Sequence, residues 1–332
     1  MEGYHDHGMT AEELMKLCVP QSNRPVFIAA PYWTAEAYGF GKHIREYGYY
    51  PNFLPLAIYT DHGPEILTEK PYQHELENDA PVMFYHSPPS VEVWKRFSKK
   101  PCFVLYSPFV FYRRKNNIER EPDARGTIAF PIHPTNEIDN LLNMETYAKQ
   151  LLALPQKFHP VSVCLHYSDI QRGTHEVFIK NGIPVYTAGG GGRFFTINYY
   201  NILKKFSYAT SNLVSSSLYY AIEMGIPFFI YGDKPRLYNR EDKNIPVGEY
   251  DPYINNRYYR DIHKLFSDLE CDITGEKRRI IEYDLGIHDG ISRGKMVFVL
   301  YFSLFRWVFS TAFLKWLRKI FMRIIASIRF LV

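Results

Sequence analysis

The sequence predicts an α/β protein of two doubly wound parallel-sheet domains facing a cleft, followed by a basic amphipathic helical segment. Three observations lead there. Short apolar runs alternate with helical patterns along most of the chain. A charged, proline-containing stretch without apolar periodicity, RRKNNIEREPDARG at 113–126, divides the alternation in two. Residues 295–332 hold seven Lys and Arg and no Asp or Glu, while the whole chain is only +4, so everything before them carries 32 basic against 35 acidic residues.

In the first half, residues 25–30, 81–86 and 101–107 read as strands, with helical patterns over 35–47 and 91–99. The stretch 113–126 is the expected interdomain linker. Beyond it come a strand at 127–132, a helix at 144–152, a strand at 161–166, a helix at 170–181 and a strand at 183–187. A helix at 196–206, a strand at 208–212, a helix at 218–224 and a strand at 227–231 complete the second half. Elements of these lengths in this order imply parallel sheets covered on both faces. The expected domains are 1–120, 121–290 and 291–332.

On a helix, Lys315, Arg318, Lys319, Arg323 and Arg329 fall on one broad side of the C-terminal segment, with Leu317, Ile320, Phe321 and Ile324 around and opposite them. This favours a helix lying in a membrane interface, with Arg306, Trp307, Lys315, Trp316, Arg318, Lys319 and Arg323 as its contacts. A span or re-entrant hairpin over 296–314 and a soluble partner-binding helix are the alternatives; Arg306 near the middle of a span costs about 2.5–3.5 kcal/mol. The basic flank points to the cytoplasmic face, and MEGYHDHGMTAEEL shows no secretory pattern.

Aromatics form 17% of the chain, enough for a packed interior and for sugar-stacking surfaces. Cys18, Cys102, Cys164 and Cys271 are too scattered for a zinc site or redox pair. His5, Asp6 and His7 resemble a metal cluster only on paper, since a terminus frays, and no metal is expected.

In open parallel sheets, ligands bind beyond the carboxyl ends of strands. Four places qualify: Thr60 to Gly63 after Tyr59, His86 and Ser87 after Tyr85, His133 to Thr135 after Ile132, and Ser215, Ser216 and Ser217 after Asn212. Serines at a helix N-terminus suit a phosphate, and suit an N-cap equally. His133 either donates to a phosphate oxygen or makes a structural hydrogen bond. Gly189 to Gly192, including Gly190, follows a strand, yet fits neither the dinucleotide fingerprint nor the P-loop; it is a flexible loop or a ligand contact.

The stretch 210–233, TSNLVSSSLYYAIEMGIPFFIYGD, resembles the donor-site segment of bacterial GT-B glycosyltransferases that build surface polysaccharides. It is similar both to the sialyl- and polysialyltransferase group and to the glycerophosphotransferases. His133 with Pro134 matches the first group's His-Pro motif, and Ser215 with Ser216 its paired serines. Asp61, His62 and Gly63 resemble its acidic motif, with His62 where a second acid is usual. The resemblance implies two Rossmann-like domains, a nucleotide-sugar donor (CMP, CDP or UDP) on the second and an acceptor on the first, with no cofactor or essential metal. It implies a lipid-linked or polysaccharide acceptor in capsule, lipopolysaccharide or exopolysaccharide synthesis, and no nucleic-acid partner. In that frame Asp61 is the candidate base, His62 its competitor or orienting partner and Glu36 a reserve base. His133, Ser215, Ser216 and Ser217 would hold the leaving phosphate, with Gly190 close to the donor and Asp169 near ribose or base. Glycerophosphate or pyruvyl transfer, or a non-catalytic membrane scaffold, are the competing functions.

Overall fold

Short β-rich runs capped by polar turns set the strands, and helices fill the intervals. A computed structural model describes residues 8–19, 30–61, 63–64, 66–135, 137–242, 246–251, 256–269 and 272–329, with side chains to residue 322. The strands are β1 (Ile58–Thr60), β2 (Val82–Tyr85), β3 (Cys102–Val104), β4 (Thr127–Ala129), β5 (Ile138–Asn140), β6 (Val161–Cys164), β7 (Val185–Tyr186), β8 (Tyr208–Ser211), β9 (Phe228–Ile230), β10 (Leu237–Asn239) and β11 (Gly248–Tyr250). The helices are α1 (Ala11–Cys18), α2 (Phe40–Tyr47), α3 (Gln73–Glu77), α4 (Pro88–Phe97), α5 (Pro108–Lys115), α6 (Met144–Leu152), α7 (Tyr167–Gln171), α8 (Thr174–Lys180), α9 (Phe195–Leu203) and α10 (Ser216–Met224). They continue with α11 (Arg257–Leu265), α12 (Gly275–Asp284), α13 (Arg293–Val308) and α14 (Thr311–Arg329). The expected strand at 25–30, His5, Asp6, His7, His62, Cys271 and the side chains of Arg323 and Arg329 lie outside the described residues.

The fold is mixed α/β with two parallel sheets, one of order β1-β2-β3 and one of order β7-β6-β4-β8-β9. The second is doubly wound: the chain leaves β4 for β6 and β7 on one side and returns to β8 and β9 on the other. β4 and β8 are therefore neighbours at the point where the order reverses. A small antiparallel sheet, β11-β10-β5, was not foreseen. The single helix expected over 170–181 is broken into α7 and α8, because Gly173 between them takes φ +78°.

Both ends of the chain cross over to the sheet farther from them in sequence. Residues 8–18 belong with the second sheet: Met9 N–H donates to Val185 O (2.8 Å), and Leu14 and Cys18 are buried beside Val163 and Val185. The C-terminal helices belong with the first. Met296, Val299 and Leu300 of α13 enter the main core, and Leu300 leaves room only for glycine at Gly48. The Ser303 hydroxyl donates to Ala57 O, and Trp307 is buried with Tyr59, Met83, Tyr85 and Trp94. Trp307 and Trp316 pack together, ring centroids 5.0 Å apart, so Trp307 fixes α13 to the body instead of facing a membrane. Arg306, Lys315, Arg318 and Lys319 are exposed. Among the described residues no single helix is long and apolar enough to cross a membrane; α13 and the start of α14 pass that test only as a pair bent by 76°.

The expected linker is also shorter than 113–126, since Arg113 and Arg114 are helical and bind Glu223 on α10. Arg113 Nε and Nη2 donate at 2.6 and 2.7 Å and Arg114 Nε at 2.9 Å to a carboxylate with no solvent exposure. A carboxylate buried this way is very costly without its partners. Replacing both Arg113 and Arg114 by Met is expected to lower unfolding free energy by about 3–5 kcal/mol. Arg236→Met, which breaks the exposed Arg236–Glu249 pair, is expected to cost at most about 1 kcal/mol. Urea denaturation of the two variants measures the contrast.

Candidate functional site

β1 and β2 run parallel, so the residues just past their carboxyl ends are neighbours, and there Asp61 meets His86. The His86 backbone N–H donates to Asp61 Oδ2 (2.9 Å), and His86 Nδ1 lies 2.6 Å from Asp61 Oδ1. A carboxylate only accepts, so Nδ1 carries a proton and Nε2 is the ring nitrogen turned away from Asp61. That nitrogen is enclosed and has no hydrogen-bond partner. The pair is deeply buried, with 3% of Asp61 and none of His86 exposed.

The two carboxylates expected as bases are both engaged inside the protein. Both oxygens of Asp61 are engaged by His86, one by its backbone N–H and one by its ring. Glu36 is paired with Arg45, whose Nη1 and Nη2 donate to its two oxygens at 2.9 and 2.6 Å inside the protein. Arg45 donates further to Leu54 O (3.1 Å), which makes the Glu36–Arg45 pair a brace for the turn after α2.

Across from Asp61 stands the N-terminus of α10. Ser215 occupies the N-cap position, yet its side chain makes no capping hydrogen bond, and its Oγ is enclosed without a partner. Ser216 is exposed, and Ser217 lies against Tyr199. The N-cap explanation of the three serines is therefore not what the structure uses. Gly63, two residues past Asp61, approaches so closely that a Cβ there would stand 3.0 Å from Ser216 Oγ. The loop after β1 in one sheet and the free helix end after β8 in the other are brought together.

The remaining candidates lie beyond the carboxyl ends of β4, β6 and β7 in the second sheet. His133, beyond β4, donates from Nδ1 to Pro134 O (3.0 Å) and stacks on His166 beyond β6, ring centroids 3.8 Å apart. Burial, and then the neighbouring His133, hold His166 down at about 2, so it is neutral at ordinary pH. Asp169 lies in the first turn of α7, buried, with Oδ2 unpartnered. Burial pushes its carboxyl up to about 7, against smaller opposing effects of Arg172 and the His166 backbone. The N–H of Gly190 is engaged by Leu17 O (3.2 Å), although space around its Cα is open. Its neighbours form a seam: Tyr38 N–H donates to Gly191 O (2.7 Å) and Thr196 Oγ1 to Tyr38 O (2.6 Å).

Sequence reasoning did not assign Asn212. Its Oδ1 accepts from Ile132 N–H (3.0 Å) and its Nδ2 donates to Asp233 O (3.4 Å), tying the ends of β4, β8 and β9. A polar amide closing an apolar strand was the available signal. Among the described residues no group of three or more His, Cys, Asp or Glu could hold a metal ion.

No protein-family model and no curated protein matches the chain. Several solved structures superpose on it loosely. The wall teichoic acid polymerase TagF is 10% identical over 75% of this chain and 67% of its own, at a TM-score of 0.35. A UDP-GlcNAc 2-epimerase from Neisseria meningitidis, bound to UDP-GlcNAc, is 9% identical over 71% of this chain and 67% of its own, at a TM-score of 0.35. A glycosyltransferase from Rickettsia africae ESF-5 is 10% identical over 76% and 71%, at 0.32. Likenesses this loose carry no weight for family or activity.

The raised Asp169 carboxyl has a definite sign. The folded state holds a proton that the unfolded chain releases in the ordinary carboxylate range, so this contribution to stability is complete at low pH and is lost as pH rises through about 7. Asp169→Asn keeps a neutral group there and is expected to flatten the fall in Tm between pH 5 and pH 8. Parallel Tm profiles of variant and wild type would refute the burial account.

Proposed function

We propose that this chain is a membrane-associated glycosyltransferase of GT-B type, moving a sugar from a nucleotide-activated donor to a lipid-linked or polysaccharide acceptor. In this reading it serves bacterial surface-glycan synthesis at the cytoplasmic face of the membrane, without an essential metal. The observation that carries the reading is the meeting of the loop after β1 with the uncapped N-terminus of α10, where the strand order reverses. A helix N-terminus with free hydroxyls suits an anionic phosphate. The opposite wall supplies a group able to take a proton.

In the transfer, the acceptor hydroxyl attacks the anomeric carbon, the carbon–oxygen bond to the phosphate breaks, and the hydroxyl proton passes to His86 Nε2. Asp61 keeps the ring in the tautomer that can receive it. Ser215, Ser216 and the amide end of α10 stabilise charge on the departing phosphate, with His133 at the edge of the same region. Because His86 is fully enclosed, its neighbours must move for the acceptor to reach it. Glycerophosphate or pyruvyl transfer would use the same anion site. The enclosure of Asp61 and His86 favours one rival in particular, a binding protein in which the pair is structural.

These readings separate by experiment. Thermal stabilisation by CMP, CDP, UDP or GDP reports donor binding. Ser215→Ala with Ser216→Ala is expected to reduce that stabilisation, with about 1–3 kcal/mol of binding lost. His86→Asn retains the donor to Asp61 but deletes Nε2; turnover is expected to fall about 10²-fold or more with nucleotide binding unchanged. Nucleotide binding by a wild-type protein that shows no turnover with any donor would support the binding-protein reading instead.

A further inference from the structure

Four exposed phenylalanines run along α13 at spacings of four, three and four: Phe298, Phe302, Phe305 and Phe309. At helical periodicity they lie within about 60° of one another. Three are strongly exposed, Phe298 at 69%, Phe305 at 65% and Phe309 at 77%. The rings associate in pairs, Phe298 with Phe302 at 5.9 Å and Phe305 with Phe309 at 4.9 Å. Beyond the 76° bend, α14 exposes Leu314, Leu317 and Phe321. Beside it, the turn at 49–53 exposes Tyr49 and Phe53, and Tyr50 meets Tyr301 of α13 at 5.1 Å. Contiguous exposed apolar surface of this extent marks a contact surface.

We propose that this face docks on an anionic lipid bilayer, and that it is a rigid part of the unit carrying Asp61 and His86 instead of a detachable tether. The charge pattern selects the occupant. Arg306, Lys315, Arg318 and Lys319 are exposed on the same two helices, and no Asp or Glu occurs from residue 295 to the end of the sequence. A second copy of the same face would set cations against cations, whereas anionic headgroups complement them. The opposite side of α13 is fixed by Met296, Leu300, Ser303 and Trp307. That burial keeps α13 on the body, with its outer rings at the depth of the headgroup boundary. The proposal stands independently of the transferase reading.

Co-sedimentation of the full chain with vesicles tests it. Vesicles of equal parts phosphatidylglycerol and phosphatidylcholine are expected to bind the chain, with phosphatidylcholine alone binding it much less. Combined Phe298→Ser, Phe305→Ser and Phe309→Ser, all at exposed positions, should reduce binding about tenfold or more while leaving the circular dichroism spectrum and any nucleotide-induced stabilisation unchanged. Lys315→Glu with Lys319→Glu should remove the preference for anionic vesicles, and added salt should weaken wild-type binding only in part. Binding by the triple variant equal to wild type, or no wild-type binding to either vesicle, overturns the proposal. A wild-type dimer in sedimentation velocity that the phenylalanine substitutions dissolve also overturns it, because the face would then join two copies.

Discussion

Glu223 lies on α10 with no solvent around its carboxylate, and two arginines of α5 hold it there. This ion triad fixes the relation between the two parallel sheets. From Leu218 to Met224 every residue of α10 is buried, and Phe109 of α5 stacks on Tyr220 with ring centroids 4.3 Å apart. With its body locked in this way, α10 can present only its N-terminus. That end arrives beside Gly63, next to the Asp61–His86 pair. An interaction at one end of a helix therefore sets which groups face each other at the other end, through rigid packing.

The same logic explains why the chain's ends cross over. Parallel sheets need both faces covered. The second sheet takes α1 from the start of the chain, whose Leu14 and Cys18 are buried there, and the first takes α13 from its end. The face that α13 leaves outward is consequently carried by the unit of Asp61 and His86. The proposed acceptor chemistry and the proposed lipid contact would then fall on one body, as an enzyme acting on a lipid-linked acceptor requires.

Much of the second sheet was legible because its strands are short apolar runs punctuated by Gly, Pro and polar residues, and the expected helix at 144–152 coincides with α6. That residues past neighbouring strand ends lie near each other was also legible, since such residues converge in a parallel sheet whatever their partners. Pairings were not legible. Arg113 and Arg114 looked like linker because Glu223, the buried carboxylate they pair with, lies over a hundred positions away. Asp61 looked like a free base because its partner lies 25 positions on and is itself just a strand-end histidine. Trp307 looked like an interfacial anchor because half of α13 is exposed, and periodicity alone does not say which half faces the body. Gly173 split a continuous helical pattern by adopting a left-handed conformation that a glycine permits without announcing.

The central claim is that the free end of α10, facing the Asp61–His86 pair, is an anion site for a nucleotide. A crystal structure of the chain grown with a saturating nucleoside mono- or diphosphate, chosen by thermal stabilisation, tests it most directly. The account predicts a phosphate within hydrogen-bonding distance of Ser215 Oγ, Ser216 Oγ and the first amides of α10. A nucleotide bound elsewhere, with this helix end left as it stands, would contradict it.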